Sequence, residues 1–90
     1  MLFRSLLIKQ MKVFQLEHLL DRKTKELIAL AIGVAKQCDA CIGFHTQALR
    51  KLGATDEEVS EMLGVSVYMG GGPSLMYAAD AWTAWQQTAG

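Results

Sequence analysis

The sequence predicts an all-α fold, a single-domain helical bundle of about five helices spanning residues 1–90. Apolar residues recur at intervals of three and four, the period of a helix with one buried face. Helix starts and stops are written in the chain at Asp21, Gly53, Thr55-Asp56-Glu57-Glu58 and Pro73. Ninety residues leave room for one domain, and no internal repeat, low-complexity tract or flexible linker divides them.

Residues 2–20 set Phe3, Leu7, Met11, Phe14 and His18 close to one helical face, against Lys9, Gln10, Lys12, Gln15 and Glu17. This reads as an amphipathic helix packed on the core or on a neighbouring subunit, with His18 at that boundary. Asp21 is the expected N-cap of a second helix. From Leu27 to Val34 every residue is apolar or glycine, which predicts a central helix buried on all sides. Gln37–Ala40 should connect it to a third helix, on which Cys41, Phe44, His45, Ala48, Leu49 and Leu52 form an inward stripe before Gly53 ends it. Thr55 and Glu58 form a capping box for a fourth helix running to about Met69. Gly70-Gly71-Gly72-Pro73 breaks it. No lysine or arginine comes next as in a phosphate-binding loop, so these glycines are expected to allow close backbone approach to the cysteine helix or across a subunit boundary. A last helix over Ser74–Gln87 carries Leu75, Ala78, Ala79, Trp82 and Trp85 as its packing stripe.

Composition narrows the classes of function. Lysine plus arginine equals aspartate plus glutamate at nine each, for a formal net charge of zero. That balance argues against nucleic-acid binding, which favours a basic excess. No run reaches the roughly 18 apolar residues of a membrane span. The apolar start of the chain stops at Lys9 without a cleavage site, so no membrane association and a cytoplasmic location are expected. Hydrophobic residues make up 51% of the chain and the mean hydropathy is +0.17. Such a surplus in a small domain predicts a homo-oligomer.

Chemistry concentrates between Glu26 and His45. Cys38 and Cys41 are three residues apart, and His45 lies four beyond Cys41, so a helix brings all three to one face. A paired thiol with an imidazole one turn away suits redox or nucleophilic chemistry. The spacing also suits a reversible disulfide, whose value would be chemical because so short a loop adds little chain-entropy stabilisation. Cys38, nearer the helix N-terminus, and Cys41, nearer His45, both remain candidates for the attacking sulfur. Glu26, at the helix entrance, is either a macrodipole-stabilised carboxylate or an acid–base group reaching the cysteines. One CxxC plus His45 would supply three zinc ligands, but no second cysteine pair completes a thiolate site. No cofactor or metal is expected.

The pattern Glu-x11-Cys-x2-Cys-x3-His, met by Glu26, Cys38, Cys41 and His45, resembles the alkylhydroperoxidase D-like branch of the carboxymuconolactone decarboxylase family. Leu20–Ala31, Met69–Pro73 and Met76–Ala81 share the resemblance, which runs from about Leu20 to Trp85. It implies a thiol-dependent peroxidase in which Cys41 attacks a hydroperoxide, Cys38 resolves the oxidised sulfur, and Glu26 and His45 relay protons. It further implies recycling by a thiol or dithiol reductant and assembly into trimers or hexamers. The best-studied branch has a histidine directly before the second cysteine, where this chain has Ala40. That departure leaves open a weakly active or non-enzymatic thiol–disulfide sensor. Lactone decarboxylation, the chemistry of another branch, uses carboxylate and histidine groups rather than a cysteine pair.

Overall fold

A computed structural model describes residues 19–90. The amphipathic helix expected over residues 2–20, with His18, therefore lies outside the described residues except for Leu19 and Leu20, which form a bend. Among the described residues there are four helices: α1 (Arg22–Ala35), α2 (Asp39–Lys51), α3 (Asp56–Gly70) and α4 (Gly72–Gln87). The all-α expectation holds, with four described helices against about five predicted.

Three of the four helices begin where the sequence supplies a side-chain acceptor. At α1 the Asp21 carboxylate takes the Thr24 backbone N–H at 2.7 Å. For α3, Thr55 Oγ1 accepts from Glu58 N while Glu58 Oε1 accepts from Thr55 N, the reciprocal pair of a capping box. The third such start, at α2, belongs to Cys38. Gly53, at φ +78°, comes just after the last turn of α2, a left-handed position at which a Cβ would be strained.

Helix α1 packs against the other three, while α2 and α3 each meet α4. The core gathers Leu30 and Val34 from α1, Ile42 and Leu49 from α2, Val59 and Leu63 from α3, and Ala78, Ala81 and Trp85 from α4. So α1 is central, but it is not buried on all sides. Ile28 and Ile32, one turn apart, are 45% and 57% exposed. The three neighbours cover one side of α1 and leave this stripe open.

Two predicted stripes are displaced by about one residue. On α2 the fully inward positions are Ile42, Thr46 and Leu49, whereas Phe44 points outward. On α4 they are Ser74, Ala78, Ala81 and Trp85, with Leu75 and Ala79 exposed. Hydroxyl residues account for the displacement: Thr46 and Ser74 are polar by type, yet both are buried. Thr46 Oγ1 manages this by donating to the Ile42 carbonyl at 2.8 Å.

The glycine turn between α3 and α4 serves a local purpose rather than the predicted approach to the cysteine helix. A Cβ on Gly70 would collide with Oγ of Ser74 in the next turn. Gly71, at φ +73°, both ends α3 and caps α4. Pro73 lies in the first turn of α4, where its missing N–H has no helical partner to lose. Among the described residues no helix is long and apolar enough to cross a membrane.

Candidate redox site

The junction between α1 and α2 creates the site. Helix α1 ends in a Schellman arrangement: the Gln37 N–H donates to the Val34 carbonyl at 3.1 Å and the Cys38 N–H to the Gly33 carbonyl at 2.9 Å. Gln37 occupies the left-handed position at φ +57°. Cys38 then acts as the N-cap of α2, its Sγ accepting from the Cys41 N–H at 3.3 Å. One residue closes one helix and opens the next.

Cys38 and Cys41 are joined by a disulfide across a Cα separation of 5.2 Å, within the span such bridges adopt. Cys38 is half-buried and Cys41 likewise. The predicted pairing is therefore present, and it lies at the first turn of α2, where unpaired N–H groups favour negative charge.

His45 is one turn beyond Cys41 on the same helix, and Glu26 reaches it from α1. Nδ1 of His45 lies 2.5 Å from Oε2 of Glu26, a short charge-assisted contact. Glu26 is 7% exposed overall, and the imidazole satisfies a carboxylate that would otherwise be costly to bury. Glu26 is not a capping residue: Asp21 is the cap, Glu26 is the fifth residue of α1, and the first turn of α1 holds no acid. The Phe44 ring meets His45 edge-on at 5.0 Å, restricting the imidazole from its outer side. Beside the pair is a cleft of about 520 Å³ whose lining includes Arg22, Phe44, Gln47 and Lys51.

All four residues singled out in the sequence thus converge on the α1–α2 interface. Two contributors escape a sequence reading. Gly33 sits against Cys41, where a Cβ would lie 3.0 Å from the Cys41 Cβ, and Gln37 supplies the left-handed turn. A glycine inside a helix costs about 1 kcal/mol relative to alanine, so Gly33 within an apolar run is the available signal. Nothing about glutamine marks a left-handed residue. Among the described residues, no three histidine, cysteine, aspartate or glutamate side chains gather as a metal-binding group.

A profile described as the carboxymuconolactone decarboxylase family matches residues 2–84. The chain belongs to the carboxymuconolactone decarboxylase family. A member of that family from Legionella pneumophila, solved as a crystal structure in its apo form, superposes with a TM-score of 0.83 at 53% identity, covering 98% of this chain and 85% of that one. An uncharacterized protein of Cupriavidus necator is 44% identical over 71 residues, which is 79% of this chain and 63% of the relative. Uncharacterized protein 4 in the cox locus of Paracoccus denitrificans is 37% identical over 78% of this chain and 63% of its own length. The matched part of this carboxymuconolactone decarboxylase family chain thus spans under two thirds of these two relatives.

Proposed function

We propose that the protein is a thiol-dependent peroxidase that reduces alkyl hydroperoxides through the Cys38–Cys41 pair. The observation carrying this reading is the conjunction of a disulfide at the start of α2 with a buried Glu26–His45 pair one turn further along. With Nδ1 of His45 engaged by the Glu26 carboxylate, Nε2 is the ring nitrogen left for acid–base work.

His45 takes the proton of the Cys41 thiol, and the thiolate attacks the terminal oxygen of the hydroperoxide. The O–O bond breaks, Cys41 becomes a sulfenic acid, and the departing alkoxide takes the proton to leave as an alcohol. The Cys38 thiol then displaces hydroxide from the sulfenic sulfur, forming the disulfide and releasing water. Two electrons and two protons from an external dithiol, or from two thiols, restore the reduced pair.

The test is hydroperoxide consumption by the reduced 90-residue chain, with excess dithiothreitol as reductant. Turnover is expected, with Cys41→Ser abolishing it and His45→Gln lowering it by roughly 10²–10⁴-fold, the usual range for losing a general acid–base group. Glu26→Gln should act in the same direction by less. Ala40 favours a second reading, because this exposed position between the cysteines carries no proton donor. Under that reading the chain is a thiol–disulfide sensor. Oxidation of the dithiol to one disulfide per chain, with no catalytic turnover, would establish the sensor and exclude the peroxidase.

A further inference from the structure

Gly33 touches both halves of the disulfide. Its carbonyl holds the Cys38 N–H at 2.9 Å, and its missing side chain leaves the space that the Cys41 Cβ fills. It is buried in α1 beside Val34, whose carbonyl anchors the neighbouring Gln37 N–H. The first half of the pair is therefore tied to the Gly33 backbone, and the second packs on the same residue.

We infer that Gly33 is a positioning residue that sets how readily the Cys38–Cys41 disulfide is reduced. An added methyl would sit 3.0 Å from the Cys41 Cβ, tighter than most carbon contacts, so the first turn of α2 must give by a few tenths of an ångström. In the dithiol form that retreat meets little resistance. In the disulfide form it does, because Cys41 is covalently tied to Cys38, and Cys38 is hydrogen-bonded to Gly33 itself. A side chain at position 33 thus penalises the oxidised form selectively, and a strained bridge is easier to reduce. The inference rests on thiol–disulfide chemistry at this pair but not on peroxide being its oxidant.

The experiment is equilibration of the full chain in glutathione buffers. Disulfide plus two glutathione thiols gives dithiol plus oxidised glutathione, and the fractions are trapped by alkylation and read by mass. Gly33→Ala is expected to lower the equilibrium constant for disulfide formation by about tenfold or more, equivalent to about 30 mV for a two-electron couple. Ala35→Ser, on an exposed position of the same helix, should leave it unchanged. A residue that merely packs would destabilise both redox forms alike and leave this constant alone. A shift below about threefold, with both forms folded by circular dichroism, overturns the inference; a larger one supports it, as does a variant that folds only when reduced. If Gly33→Ala folds in neither form, amide exchange of the parent chain decides. Protection of the Cys38 N–H in both redox forms supports the Gly33 tie, and exchange at an unstructured rate in the reduced form overturns it. No hydroperoxide enters these measurements, so loss of the peroxidase reading would leave their outcome standing.

Discussion

At the scale of single residues, Gln37 is where the chain accepts a local cost. The left-handed region disfavours side chains by roughly 1–2 kcal/mol, yet Gln37 adopts it at φ +57° because the turn delivers the Cys38 N–H to the Gly33 carbonyl. Gln37→Gly should therefore stabilise the protein, by less than that figure because glycine also frees the unfolded chain. A higher midpoint in urea denaturation at constant m-value would record it. Thr55 makes the opposite case. Thr55→Ala removes one partner of the capping box and should cost about 1 kcal/mol, seen as a lower midpoint in the same assay. The Thr55 box is readable in the sequence because its four residues are contiguous. The Gln37 turn is not, since its cause is a hydrogen bond between the ends of two helices.

Between elements, two sets of contacts fasten the helices around the site. Lys23 on α1 meets Glu58 on α3 at 2.8 Å. The hydrogen bond from Lys23 holds the Glu58 carboxyl below its ordinary 4.5, and the same bond raises Lys23 above 10.5. The Glu58 contribution is full above 4.5 and fades as pH falls through its lowered folded value. The Lys23 contribution is full below 10.5 and fades as pH rises through its raised folded value. Stability measured against pH should thus lose its Lys23-dependent part at both extremes, and Lys23→Gln should flatten the profile there while lowering it slightly between. Because both groups face solvent, the effect should shrink with added salt. The second set is centred on Trp85, which is fully buried. Its Nε1 donates to Asp56 Oδ1 at 2.8 Å at the start of α3, and Arg50 of α2 stacks 3.7 Å from its ring centroid while donating to Thr88 Oγ1. Trp85→Ala empties the junction of three helices and should cost about 3–5 kcal/mol by chemical denaturation. Trp85 is recognisable in the sequence as a packing residue, but its polar partners lie 29 and 35 positions away and no local pattern joins them.

Over the whole molecule, the described residues leave large apolar side chains open to solvent on all four helices. Ile28 and Ile32 line one stripe of α1, while Tyr68, Met69, Leu75 and Met76 flank the α3–α4 turn, all at least 45% exposed. We propose that a second copy of the chain covers these side chains, as exposed apolar surface favours subunit contacts. Light scattering should return a mass above 9.9 kDa at micromolar concentration, with Ile32→Glu or Met76→Glu reducing it; a stable monomer would refute this. The surplus of hydrophobic residues in the composition motivates this proposal, but which side chains are left open depends on which side of α1 the other helices leave bare. The same limit applies to the candidate site. Residue types and spacing name Glu26, Cys38, Cys41 and His45, whereas the contact between Glu26 and His45 comes from the packing of α1 on α2.

That packing turns the spacing of the motif into a matter of angular phase. Each residue added to an α-helix rotates the remainder of the helix by about 100°. Inserting one residue between Cys41 and His45 would keep every side chain of the site in the chain, yet swing the imidazole by that angle away from the Glu26 carboxylate. Thr46 and Leu49, buried on the same helix, would turn out of the core with it. Deleting one residue would swing all three as far in the other direction. A chain edited in this way retains both cysteines at their spacing while its buried carboxylate loses its partner, so this segment should tolerate substitutions far better than changes in length.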